Sequence, residues 1–563
     1  MTTAATAAEL DSQIPSTSVF TYLFANERYN EVAFIDPISN KSITRRQLKS
    51  DSLRFARSLR NLDTLGQGAS LQRGDTITIF STTSIYYPVI ILGAFAAGTP
   101  VACSSAAQTP TELAHQFTLT RPKFFAVQLQ LLPVFLDTLK LLKVDEKEVI
   151  QRSVLICERE ELSQSLRQQG WRCIYNLFEG DDDFEPEDFD GQRSSETALI
   201  VYSSGTTSLP KGVELTHRNL AATVKILGLW AGFGLDGPLM GPFPFYHIAG
   251  MQIFLLAPVR WCRPSVLVSS FVFEDFLKFI VRYKVSSVAV PPAVIGLFAS
   301  SPLVDKYDMT SVRTVLFGAA PTPQPIINSC YQRLKAIAHP SIGIYQGFGA
   351  SECTGATVFT PLGRVDKAEA AGHPIGCDMR IVSDTDEDVS PGKDGEVLLR
   401  GPGVMRGYLH NPKATKETFT SDGWLKTGDV GYIDNAGFLR IVDRKKEIIK
   451  YNSFQVPPAE LESVLAGHPK ISDVCVVGVP TRDGTNELPR AYVVPRDRAL
   501  LKDPAFPSEI QKWIQGKVSY YKELRGGVVA VESVPRSVSG KLLRRILRDQ
   551  AIAEMRRQVK THL

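Results

Sequence analysis

Three times in the middle of the chain, a short run of β-branched and aliphatic residues feeds directly into a loop of small residues. Ala198–Tyr202 runs into Ser-Ser-Gly-Thr-Thr-Ser, Thr314–Phe317 into Gly-Ala-Ala-Pro, and Ile342–Tyr345 into Gln-Gly-Phe-Gly-Ala-Ser-Glu. In α/β folds ligands collect outside the carboxyl ends of the strands, so three such joins predict one shared crevice. Upstream, Gln47–Leu62 carries apolar residues at helical spacing and Asp75–Phe80 alternates like a strand. The acidic stretch Glu179–Gly191 is the clearest loop and is expected to separate sub-domains. From Ser453 the texture becomes a compact unit, with helices expected at Pro458–Ala466 and Glu509–Gln515, strands at Val474–Val477 and Ala491–Val494, and a basic tail helix. A length of 563 residues predicts more than one domain. The boundary falls at 443–447, giving a large N-terminal α/β domain of several sub-domains (1–445) and a small α+β C-terminal domain (446–563). No period of 20–50 residues suggests a repeat protein.

Composition removes several classes. A chain that is 44% apolar and 22% charged is neither disordered nor fibrous. The apolar runs Ile85–Ala97 and Ile248–Val259 fall short of the ~20 residues of a membrane helix, and the first contains Pro88. Met1–Glu9 lacks the basic and apolar regions of a secretory signal, so the expectation is a cytoplasmic protein. The eight cysteines stand singly, read as reduced core thiols, and neither they nor the eight histidines show metal-clip spacing. A formal charge of +4 does not argue for nucleic acid. From Glu447 onward, however, 19 Lys and Arg face 13 Asp and Glu, with the excess concentrated near Lys541–Lys560. That run reads as a solvated helix face or as a docking surface for a polyanionic small molecule.

The strongest single motif is Tyr202-Ser-Ser-Gly-Thr-Thr-Ser-Leu-Pro-Lys-Gly212. Polyphosphate needs donors at close range without bulky side chains in the way. Ser203, Ser204, Thr206 and Thr207 supply hydroxyls, Gly205 and Gly212 permit backbone approach, and Lys211 brings an ammonium. This is not a G-x-x-x-x-G-K-[ST] loop, because the lysine follows a proline and no hydroxyl follows Gly212. A helix is expected to start near Thr216 as N-cap, with Leu220, Val224 and Leu227 on one face.

Tyr202–Gly212 resembles the phosphate loop of the acyl-adenylate-forming (AMP-binding) superfamily, and the likeness continues from about Phe20 to Arg545 with further motifs in the family's order. Lys450-Tyr-Asn-Ser-Phe-Gln-Val-Pro-Pro-Ala-Glu-Leu-Glu462 looks most like the 4-coumarate:CoA ligase branch. The resemblance implies a large N-terminal domain, a mobile C-terminal domain and a two-step reaction. A carboxylate attacks the α-phosphate of ATP to give acyl-AMP and pyrophosphate, and the thiol of coenzyme A then displaces AMP. It also implies roles. Gly318, Ala319, Ala320 and Pro321 lie against the purine. In Gln346-Gly347-Phe348-Gly349-Ala-Ser351-Glu352, Phe348 stacks on adenine, Ser351 bonds the α-phosphate and Glu352 helps hold Mg²⁺. Phe348 and Ser351 stand where the family usually has Tyr and Thr. Asp429 takes the ribose hydroxyls, Arg444 reaches the ribose, and Lys446 is the hinge. Lys541, on a Gly-bearing loop, would bridge the converging anions during adenylation, with Gln455 beside it, while Lys450 serves the thioester-forming pose. Ser453 replaces the usual Gly of the loop that lines the thiol's tunnel, which leaves the thioester step less secure than adenylation.

Pro242-Phe-Pro-Phe-Tyr-His247 resembles the motif whose His positions or gates the acid. No Asp occurs in Pro242–Gln252, which argues against an α-amino acid substrate. Ala249 stands where hydroxycinnamate-specific ligases carry Tyr; with Met251, Ile253 and Phe254 it points to an apolar acyl pocket. The expected acid is a medium-chain fatty acid or a weakly substituted aromatic acid. Alternatives are loading of a carrier protein or a luciferase-like oxidation of an acyl-adenylate. The terminal Thr561-His562-Leu563 faintly resembles a peroxisomal address.

Overall fold

The apolar run at 85–97 becomes a helix, Tyr87–Ala96, in which every residue is buried. A helix apolar on all sides must be enclosed by protein, and Pro88 sits in its first turn, where a missing N–H costs nothing. It packs against the helix Arg45–Arg60, whose Thr44 hydroxyl accepts the Gln47 N–H. Gly93 permits the close approach: a Cβ there would stand 2.6 Å from the Ser52 carbonyl oxygen. These features belong to a computed structural model that describes residues 6–26, 28–62, 70–203, 210–230, 236–319, 322, 324–451, 454–481, 486–537 and 540–561. None of its helices is long and apolar enough to cross a membrane, among the described residues.

Two large sheets form the N-terminal part. One has seven strands, with parallel Ser153–Ile156, Phe124–Gln128, Ile77–Phe80, Val101–Ser104 and Thr197–Ser203, followed by antiparallel Lys211–Thr216 and Gly407–Tyr408. The other has nine; its parallel neighbours Ser287–Val290, Thr314–Gly318 and Gly343–Ala350 sit in register. A four-stranded antiparallel sheet follows and ends at Leu439–Arg444. Beyond it, the strands Ile471–Pro480, Glu487–Pro495 and Val528–Ala530, with the helices Pro458–Ala466 and Ala505–Ile514, enclose a core of their own. The architecture is α/β, with a large N-terminal and a smaller C-terminal part.

The structure departs from the sequence expectations at several places. Gln346–Ala350 is not loop: the strand runs on to Ala350 because Gly355–Phe359 folds back to pair with it. The acidic stretch does not separate sub-domains, since the strands on either side of it lie in one sheet. It acts as a strap instead: Glu187 pairs with Arg60, Asp183 with Arg57, and Glu187 N–H donates to Ala96 O. The apolar run 248–259 is a short turn, Ile248–Gly250, then a π-helix, Met251–Leu256, then the helix Ala257–Trp261. All eight cysteines are buried and unpaired. The basic tail helix, Arg544–Thr561, spends part of its charge internally, Arg544 on Glu447 and Glu462 and Arg548 on Glu487.

The helix His217–Trp230 begins as expected, with Thr216 and Asn219 exchanging side-chain-to-backbone hydrogen bonds. His217 itself is buried, its ring 3.8 Å from that of Phe189, and Nδ1 accepts the Val19 N–H at 3.3 Å. Burial, then the Arg73 guanidinium, push it down to about 3. Unfolded chain takes up the proton near pH 6.5, so this neutral histidine stabilises the fold above that pH, and the contribution is lost as pH falls towards 3. His217→Asn, which keeps an acceptor for Val19, is expected to lose less melting temperature than the unaltered protein between about pH 7 and 5. Melting curves across that range check it, and equal slopes would refute it.

Candidate active site

The carboxyl ends of the parallel strands of the nine-stranded sheet open on a cleft lined by Phe243, His247, Ile248, Ala249, Ile253, Ala289, Gly318, Ala319, Gly347, Gly349, Ala350, Ser351, Ala356 and Lys541. Two of the three strand-to-loop joins thus meet there, at Gly318 and at Gly347–Ser351. Two of their glycines are required by close packing: a Cβ on Gly318 would stand 2.3 Å from Gly347 O, and one on Gly349 1.9 Å from Gly355 O. Gln346 and half-buried Phe348 lie on the same strand, with Gln346 N–H donating to the Thr360 hydroxyl.

Lys541 reaches this cleft from the C-terminal part. Its loop is fixed by reciprocal bonds, Lys541 N–H to Ser537 Oγ and Ser537 N–H to Lys541 O. Arg536 ties the preceding carbonyl, Gly540 O, to the C-terminal sheet through Asp473. Gly540 packs on Pro291; a Cβ there would meet the proline's at 3.0 Å. Burial, then the nearby Arg444 guanidinium, lower the Lys541 ammonium from its usual range, against the pull of Asp429, Glu352 and Glu447.

Asp429 and Arg444 face each other across an antiparallel pair, and Arg444 Nε lies 2.8 Å from Asp429 Oδ1. Burial raises the Asp429 carboxyl, opposed by Arg444 and Lys541. Glu352, in the turn Ser351–Cys353, accepts a hydrogen bond of 2.9 Å from the Tyr408 hydroxyl. Lys211 stands opposite Ser203 on the hairpin, and its Nζ lies 4.5 Å from the centre of the Tyr408 ring. Burial, then the Glu352 carboxylate, push the Tyr408 phenol above its usual range, so it is a donor. Tyr408 escapes sequence reasoning because it belongs to no motif that the spacing singles out; its partners are 56 and 197 residues away.

His247 caps the turn Ile248–Gly250, its Nδ1 accepting the Ala249 N–H. Burial, then Lys541, push it down to about 3, so near neutrality the ring is uncharged with its proton on Nε2. Ala249 and Ile253, four residues apart, share the face that lines the cleft. Met251 does not line it: two residues from Ala249, it is carried to the opposite side and buried, and Phe254 covers Gly241. The fully buried Gln252 gives its amide to the Thr223 hydroxyl and to Ala356 O, and accepts the Ala356 N–H.

Other expected residues are not gathered here. Lys446 is exposed in the turn after Leu439–Arg444, and Lys450 is exposed on the hairpin Ile449–Tyr451, paired in register with Gln455. Ser204, Gly205, Thr206, Thr207, Ala320, Pro321, Ser453, the Gln455 side chain and the Thr561–Leu563 terminus lie outside the described residues and side chains. Ala319 is described, in the left-handed region at φ +73°.

The AMP-binding enzyme family matches residues 23–409, and the AMP-binding enzyme C-terminal domain matches residues 460–541. The chain belongs to the AMP-binding enzymes. Among relatives of this AMP-binding enzyme, Probable 4-coumarate--CoA ligase 2 of Dictyostelium discoideum is 34% identical over 85% of this chain and 86% of its own length. Phenylacetyl-CoA ligase epaB of Aspergillus niger is 31% identical over 95% of this chain and 97% of its own length. The fold matches the anthranilate CoA ligase AuaEII in complex with anthranoyl-AMP, with a TM-score of 0.84 at 20% identity over 97% of this chain and 99% of that one.

Proposed function

We propose that this AMP-binding enzyme is an ATP-dependent carboxylic acid:CoA ligase acting on acids with apolar tails, of medium-chain fatty or weakly substituted aromatic kind. The observation that carries the reading is the delivery of Lys541 from the C-terminal part into a cleft that also holds His247 and Ser351, beside the Asp429–Arg444 pair. Relatives named as 4-coumarate and phenylacetyl CoA ligases support the reaction class.

In this reading the acid's carboxylate oxygen bonds to the α-phosphorus of ATP, and the bond to pyrophosphate breaks. Both partners are anions, so the step needs positive charge where they meet, which Lys541 supplies. Asp429 and Arg444 hold the ribose, Phe348 and the small residues 318–321 bind adenine, and the loop from Ser203 to Lys211 takes the phosphates. Glu352 fits a magnesium ion, since it offers hard carboxylate oxygen with one oxygen already fixed by Tyr408. The ion would supply charge neutralisation of the phosphates. His247, uncharged, positions the acid without adding charge. In the second step the CoA sulfur bonds to the acyl carbon, the bond to AMP breaks, and the thiol proton is lost. Lys450, exposed here, serves that step after the part beyond residue 445 turns about Lys446.

The acid preference follows from polarity. The cleft wall formed by Phe243, Ala249, Ile253 and Ala356 is apolar, and Gln252, the polar side chain behind it, already has partners for both ends of its amide. A buried phenol left unpaired costs about 1–3 kcal/mol. Octanoate or an unsubstituted aromatic acid should therefore exceed p-coumarate in kcat/KM by roughly 5- to 150-fold. Acid-dependent pyrophosphate release with ATP and Mg²⁺, measured with and without CoA, tests both the class and the preference. A matching thioester supports the ligase. Release that CoA neither accelerates nor captures would point to a carrier protein, and acid-dependent oxygen uptake would point to oxidation. The proposed site of action is the cytoplasm, with the peroxisome the alternative.

A further inference from the structure

Residues 405–409 connect two groups that belong to different elements. Met405 N–H donates to Glu352 O, and Leu409 N–H donates to Gly212 O, the residue after Lys211. Between them Gly407–Tyr408 pairs with Val213 and Glu214, extending the strand that Lys211 opens. Tyr408 then uses both parts of its side chain. The hydroxyl donates to one oxygen of Glu352, and the ring face carries the Lys211 ammonium. Its own backbone N–H is held by Thr415 Oγ1 at 2.9 Å, which fixes the strand from outside.

We propose that Tyr408 is a positioning residue that sets the Glu352 carboxylate and the Lys211 ammonium at the separation a metal–polyphosphate ligand requires. This rests on the ATP-dependent reading above. The phenol engages Glu352 by donation alone, so the carboxylate keeps its charge and its second oxygen stays open to a hard cation. The ring attracts the ammonium without consuming its N–H donors, as a carboxylate partner would. Among the described residues no carboxylate oxygen lies within 4 Å of Lys211 Nζ, so its N–H groups stay available to phosphate. One side chain thereby fixes an anionic and a cationic ligand group while neutralising neither.

The test uses Mn²⁺ as the metal and α,β-methylene-ATP as the nucleotide, without acid or CoA, with free Mn²⁺ followed by electron paramagnetic resonance. Tyr408→Phe keeps the ring and removes only the hydroxyl; it should weaken Mn²⁺ retention in the ternary complex about tenfold and leave analogue affinity at saturating metal little changed. Tyr408→Leu should weaken the analogue as well. Tyr408→Phe combined with Glu352→Gln should be no weaker than Glu352→Gln alone, because the hydroxyl acts through that carboxylate. In turnover, Tyr408→Phe should raise the Mg²⁺ requirement without changing KM for the acid. Mn²⁺ retention by Tyr408→Phe equal to that of the unaltered protein, or additive effects in the double variant, would overturn the assignment while leaving the ligase reading in place. No metal-dependent analogue binding by the unaltered chain would overturn both.

Discussion

Lys541→Ala is expected to reduce acid-dependent pyrophosphate release by about 10²–10³-fold, equivalent to about 2.7–4 kcal/mol of lost charge stabilisation. CoA attack on supplied acyl-AMP should survive nearly intact. The asymmetry comes from where the ammonium stands. It enters the cleft beside His247 and Ser351, held on a loop braced by Ser537 and by the Arg536–Asp473 tether. In adenylation two anions converge at that point, whereas in the proposed second step the part beyond residue 445 has turned about Lys446 and the ammonium no longer stands there. Separate assays of the two half-reactions decide the matter, and equal loss in both would remove Lys541 from the assigned role.

The largest stability effect is expected at Arg544, which is not placed in the chemistry at all. Its guanidinium bonds Glu447 through Nη1 and Glu462 through Nη2, and Glu462 also takes the Val476 N–H. Asp443 lies close by, accepting the Ala459 N–H at the start of the helix Pro458–Ala466. All three acids are largely withdrawn from water. Arg544→Ala would leave them without a cation, a loss on the order of 3–5 kcal/mol. Burial already raises the Glu462 and Asp443 carboxyls, with Arg544 pulling the other way. Without Arg544 these carboxyls rise further, so protonation relieves the variant as pH falls. Its deficit in urea unfolding should therefore narrow from about pH 8 to 5. A deficit independent of pH would mean that lost packing, not stranded charge, causes it.

Much of the site was legible from local pattern. A strand that must be buried and a loop that must be small leave a readable signature, and Gly318 and Gly349 prove to be forced by backbone contacts near 2 Å. The helix at Pro458–Ala466 has the predicted bounds, and that at His217–Trp230 begins at its expected cap. What escaped was set by contacts distant in sequence. Gln346–Ala350 reads as loop because its strand character depends on a partner strand folding back. Met251 reads as pocket because composition does not say which face of a turn looks inward. The acidic strap reads as a linker because its arginines lie over a hundred residues upstream. Arg544 reads as one more cation of a basic helix, and Tyr408 as an isolated aromatic, until Glu447, Glu462, Glu352 and Lys211 are brought beside them.

The hairpin that brings Ser203 opposite Lys211 separates two demands on the seven residues between them. Its two ends are joined by strand pairing whether or not nucleotide is present, so the closure entropy is met by the sheet. Strand pairing is a backbone bond and asks nothing of the side chains between those ends, while in the proposed reading phosphate binding would depend on every donor among them. Variants of this stretch should keep normal melting behaviour and lose nucleotide, so stability screening alone would pass proteins that no longer work.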